Sequence, residues 1–62
     1  MKVEYAGGFL SLEGEMTARE LLDRLGLDFE DHLVIKDGSL VPLEEKIEDS
    51  SNIIILKAVV GG

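Results

Sequence analysis

The alternation of apolar and polar side chains changes period along the chain, and each change marks an element. Residues 2–5, Lys-Val-Glu-Tyr, alternate with period two, which suits a strand with Val3 and Tyr5 on its buried face. Ala6-Gly7-Gly8 reads as a turn, because paired glycines accept positive φ with little steric penalty. Phe9 to Glu13 returns as the second arm of a hairpin, with Leu10 and Leu12 on one face, and Gly14 closes it.

At Thr17 the period lengthens to that of a helix. Thr17 is a good N-cap, and Glu20 three residues later completes a capping box. Met16 and Leu21 occupy the two positions of a hydrophobic staple. Ala18, Leu21, Leu22 and Leu25 form one apolar stripe, Arg19, Glu20, Asp23 and Arg24 cover the other side, and Gly26 stands where a left-handed residue ends the helix. A helix with one wet side must lie on a sheet.

Leu27 to Asp31 is a connection whose apolar residues are expected to plug the edge of the core. His32 to Lys36 reads as a third strand, Asp37-Gly38 as a turn and Ser39-Leu40-Val41 as the return. Pro42 has no amide hydrogen, so it stops that strand or sits at an edge. Leu43 to Asp49 is polar around an isolated Ile47 and is expected to be irregular or a short turn of helix. In the run from Asn52 to Ala58, Ile53 and Ile55 share one face while Ile54, Leu56 and Ala58 share the other. Apolar residues on both faces mark an interior strand. The sum is an α+β layer, a mixed sheet with one helix packed across one face and the last strand in the middle, beside the first. With Ile53 and Ile55 under the helix, Leu33 and Ile35 are expected to point inward. Val34, Ile54 and Leu56 then lie exposed on the helix-free side as a partner-docking face.

Composition narrows the classes. A chain of 62 residues makes one domain, taken as residues 1–62 with a flexible tail over 59–62. The net charge of -7 argues against nucleic acid, whose phosphates require a basic surface. Cysteine is absent, which removes disulfides, thiolate metal sites and thiol nucleophiles, and fits a reducing, cytoplasmic setting. No signal-like segment and no apolar run of about 18 residues is present, so no membrane is expected. His32, the single histidine, is expected at the surface, starting a strand, rather than as a base or a metal ligand. Glu44, Glu45, Glu48 and Asp49 read as a solvated acidic face, and no metal site is expected. Gly7-Gly8 lacks the Lys-Ser/Thr of a phosphate loop.

The last four residues, Val59-Val60-Gly61-Gly62, carry the candidate chemistry. They span at most about 13–14 Å when extended. Glycine has no Cβ, so it threads a narrow channel and leaves its carbonyl open to attack. An α-carboxylate is a poor electrophile, and its use requires activation, typically as an acyl-adenylate made from ATP.

The capped helix Thr17-Ala18-Arg19-Glu20-Leu21-Leu22, the segment Lys36-Asp37-Gly38-Ser39-Leu40-Val41-Pro42 and the closing Val59-Val60-Gly61-Gly62 make the chain resemble a ubiquitin-like β-grasp protein. More specifically, it is similar to the small sulfur carriers of the ThiS/MoaD group, over essentially its whole length. The resemblance implies a sheet of about four to five strands under one helix. It implies that an E1-like adenylyltransferase of the ThiF/MoeB type activates the carboxylate of Gly62, with Gly61, Val60 and Val59 as the tail required for activation. A sulfur donor then converts the terminus to a thiocarboxylate. The acceptor would be a cofactor-synthesis enzyme, a thiazole synthase (thiamine thiazole) or a molybdopterin synthase large subunit. The chain would be a cosubstrate without a catalytic site; it would bind no cofactor stably, ATP being used by the activating enzyme. The same activated terminus would also serve a protein modifier joined through Gly62 to target lysines. A passive β-grasp interaction domain with an inert tail is the third alternative.

Overall fold

The computed structural model describes residues 1–58, and its most apolar strand lies at its centre. The elements are β1 (Lys2–Tyr5), β2 (Gly8–Ser11), β3 (Met16–Thr17), α1 (Ala18–Arg24), β4 (His32–Lys36), β5 (Ser39–Leu40), β6 (Lys46–Ile47) and β7 (Asn52–Lys57). Five strands form one sheet in the order β2-β1-β7-β4-β5, and β3 pairs with β6 apart from it. β1 and β7 run parallel, and the other pairs are antiparallel. This is the α+β arrangement expected from the pattern, with the last strand beside the first, and the β-grasp sheet that the resemblance implied.

Both hairpins of the main sheet close on two residues. Asp37 and Gly38 take φ 51° and 80° between paired Lys36 and Ser39. Ala6 and Gly7 take φ 50° and 80° between Tyr5 and Gly8. Positive φ at both central positions is the type I′ geometry, whose twist matches that of the flanking strands. The first turn is thus one residue earlier than the glycine pair suggested: Ala6 takes a left-handed conformation and Gly8 is already strand.

The helix is capped at both ends as expected. The Glu20 amide donates to Thr17 Oγ1 (3.1 Å), and the Thr17 amide donates to Glu20 Oε1 (2.9 Å). Two further amides of the first turn find partners in the chain before β6: Ala18 donates to the Glu45 carbonyl and Arg19 to that of Leu43. At the other end Gly26 (φ 72°) donates to Asp23 and Leu27 donates to Leu22, the paired bonds of a Schellman motif. Ala18, Leu21 and Leu22 are buried in one cluster with Val3, Ile53 and Ile55 of the sheet.

Leu43 to Asp49 is not merely irregular. Lys46 and Ile47 form β6 against Met16 and Thr17, and Ile47 is fully buried. One apolar residue in a polar run is too short a pattern to show a period, yet it plugs the core. Beyond Leu27, which packs against the core, Phe29 of the preceding connection stays exposed beneath the Arg19 guanidinium, 4.6 Å from its ring centroid. Among the described residues no helix is long and apolar enough to cross a membrane.

Candidate functional site

The site has two parts, the end of β7 that leads to the tail and the sheet face left bare by the helix. At its exit β7 is held on the β4 side. Lys57 pairs with His32, and the Ala58 amide donates to the Asp31 carbonyl at 2.8 Å. Val59, Val60, Gly61 and Gly62, the tail expected to carry the chemistry, lie outside the described residues.

The bare face differs from expectation in one strand. Ile54 and Leu56 are exposed, at 42% and 49%. Val34 is not: it is 2% exposed and sits in the core. Leu33, expected inside, is 41% exposed. The cause is register. Paired residues on neighbouring strands share a face, and Val34 pairs with the buried Ile55 while Leu33 pairs with Leu56 and Ile35 with Ile54. The run Leu33-Val34-Ile35 is apolar at every position, so alternation within it carries no direction. Val34 is therefore withdrawn from the face, and Leu33 and Ile35 replace it.

Further residues of the face went unremarked in the sequence. Phe9 is 65% exposed, and Leu40 stands beside Ile35. Phe9 was legible in principle, since placing Leu10 and Leu12 inward forces Phe9 outward. Leu33 and Leu56 form the apolar pair nearest the exit of β7. A contiguous exposed apolar surface of this kind is a feature of interaction sites.

His32 is also placed differently. It is buried, with Nδ1 2.8 Å from the Asp28 carbonyl and Nε2 2.9 Å from the Tyr5 hydroxyl. It follows Val34 to the helix side, which is why it lies inside. Two of the acidic residues between β5 and β7 tie that segment to earlier parts of the chain: Glu44 accepts from Arg19 Nε at 2.7 Å, and Asp49 accepts from the Gly14 amide at 2.6 Å. No group of three or more potential metal ligands occurs among the described residues.

No curated protein matches the chain at a significant level. The model of the ThiS family matches residues 3–62, from the first strand through the final glycine. With that match spanning nearly the full length, on a β-grasp sheet whose central strand runs toward the diglycine, the chain belongs to the ThiS family of small sulfur-carrier proteins.

Proposed function

We propose that this carrier delivers sulfur through Gly62 for cofactor biosynthesis, after activation by an E1-like adenylyltransferase. In that scheme the Gly62 carboxylate attacks the α-phosphorus of ATP and pyrophosphate leaves. Hydrosulfide then attacks the acyl carbon, AMP leaves, a proton is lost, and a thiocarboxylate remains. The acceptor enzyme is of the thiazole synthase or molybdopterin synthase type. No step needs a side chain of the carrier, so its own structure has only to hold the tail and offer a surface to each partner.

The observation that supports this reading most is the placement of β7. It is bonded to β1 on one side and β4 on the other, and the Ala58 amide, four positions before Gly62, donates to the Asp31 carbonyl. A four-residue segment after Ala58, if extended, would reach at most about 13–14 Å, in line with a nucleotide site inside another protein. Leu33, Ile54 and Leu56 lie beside the exit and are the surface such a partner covers in this scheme. Burying three side chains of that size is worth several kcal/mol.

The test is intact mass after incubation with the activating enzyme of the source organism, ATP and a sulfur source. One oxygen exchanged for sulfur is expected in the wild type, and little or none in Gly62→Ala at unchanged thermal stability. Failure with every activating enzyme of that organism would sink the reading. Gly-Gly remnants on target lysines, with no thiocarboxylate, would transfer the tail to protein modification.

A further inference from the structure

One row of the helix-free face crosses all five strands of the main sheet: Phe9, Glu4, Ile54, Ile35 and Leu40 stand side by side in register. Four are apolar and the fifth is a carboxylate, placed between Phe9 and Ile54. Glutamate is among the poorer residues for a strand, and here its two cross-strand neighbours offer it no counter-charge. Ion pairs among the described residues join other groups: the N-terminus with Asp49, Arg19 with Glu44 and Lys46 with Glu15. Lys2, the other charge on this side of β1, is turned over Phe9, its ammonium 5.1 Å from the ring centroid. Glu4 and Asp37, with Lys2 at the Phe9 side, border a shallow groove of about 300 Å³ over Ile54, walled by Phe9 and Ile35.

We propose that Glu4 selects the partner on this face by receiving one guanidinium or ammonium group, set among apolar side chains that cover Phe9 and Ile54. The inference rests on the carrier reading above, and the partner is the adenylating enzyme. A surface that covers the row also strips water from Glu4. A partner with no cation at that point leaves a desolvated, unpaired carboxylate, which is strongly unfavourable. Such a penalty rejects surfaces that are merely apolar and so adds specificity that Ile54 and Leu56 alone cannot supply. A second copy of this chain is a poor occupant, because with a net charge of -7 it brings mainly carboxylates to the contact. A guanidinium is the better of the two cations, since its planar fork meets a carboxylate with two parallel bonds.

The experiment measures pyrophosphate release by the activating enzyme against carrier concentration, at two salt concentrations, for wild type, Glu4→Gln, Glu4→Lys and the control Asp23→Asn. Asp23 is exposed on the helix and its substitution makes the same change of charge as Glu4→Gln. KM is expected to rise about ten- to hundredfold in Glu4→Gln and further in Glu4→Lys, with kcat and melting temperature unchanged. The salt dependence of KM flattens in Glu4→Gln, and Asp23→Asn behaves as wild type. Equal KM in wild type and Glu4→Gln overturns the proposal and leaves the carrier reading standing. No adenylation of the wild type overturns the carrier reading and the named partner with it. The groove is then judged alone by titrating phenylguanidinium and following amide shifts. Shifts at Phe9, Ile35 and Ile54 that vanish in Glu4→Gln uphold cation selection, and their absence overturns it. Wild-type self-association through this face, seen by sedimentation, also overturns it.

Discussion

The Tyr5 hydroxyl lies 2.9 Å from Nε2 of His32, so the two strands that flank β7 are tied to each other across its inner side. Tyr5 pairs with Ile55 and His32 with Lys57, which places this strap under the last turns of the backbone before the tail. Nδ1 of the ring lies 2.8 Å from the Asp28 carbonyl, which can only accept, so Nδ1 carries the proton. In the neutral imidazole Nε2 therefore accepts from Tyr5. Tyr5→Phe removes that donor and leaves a buried ring nitrogen unpaired, at a cost of about 1 kcal/mol. Urea denaturation checks the loss. Hydrogen exchange at the Ala58 amide should also quicken, because its acceptor, Asp31, sits next to the ring; an unchanged exchange rate would separate the strap from the exit of β7.

Acid should weaken the protein partly through the capping box. The backbone N–H and then the hydroxyl of Thr17 hold the Glu20 carboxyl below its ordinary value of 4.5. A folded-state value below the unfolded one means that Glu20 contributes stability in full above about pH 4.5, and that this is lost as pH falls through the lower folded value. In Glu20→Gln the amide oxygen still accepts from Thr17 but does not titrate there. Stability measured from pH 6 down to pH 2 should consequently fall less steeply in the variant. Parallel curves would show that the box carries no proton linkage.

The two neighbours Leu33 and Val34 should respond oppositely to truncation. Val34→Ala opens the core and is expected to cost about 1.5–3 kcal/mol. Leu33→Ala removes an exposed side chain, with a stability change of about 0.5 kcal/mol or less, while weakening any partner that grips the bare face. Denaturation curves for the pair, beside the adenylation KM of each, distinguish register from docking.

Ile47 offers a sharper test of the small second ribbon. It is fully buried within a two-residue strand, and Ile47→Ala should cost about 2–5 kcal/mol. A domain of this size holds roughly 3–9 kcal/mol in total, so a loss of that size takes a large share of it and the variant's midpoint is expected to fall far below that of the wild type. Ile47→Val, at about 0.5–1.5 kcal/mol, stays folded and gives a measurable midpoint.

The first hairpin can be improved. Ala6 holds φ 50°, a region that costs a residue with Cβ about 1–2 kcal/mol and that asparagine tolerates better. Ala6→Asn creates an Asn-Gly type I′ turn and is expected to raise stability by about 0.5–1 kcal/mol, read as a higher thermal midpoint. A fall would mean that the turn does not hold this geometry in solution.

The sequence by itself determined the elements whose signals are local. Thr17 with Glu20, the stripe from Ala18 to Leu25 and Gly26 specify a helix within one stretch, because caps and periodicity act over neighbouring residues. Asp37-Gly38 specifies its turn in the same way, and the two-sided apolar run at Ile53 to Leu56 specifies an interior strand. The tertiary structure alone decided which way His32 to Lys36 faces, since a run apolar at every position has no inner side until β7 sets its register. It also decided that His32 is buried, that a lone Ile47 completes the core, and that Glu4 comes to lie between Phe9 and Ile54. Each of these depends on which distant residue arrives opposite, a matter of long-range pairing that no local pattern encodes.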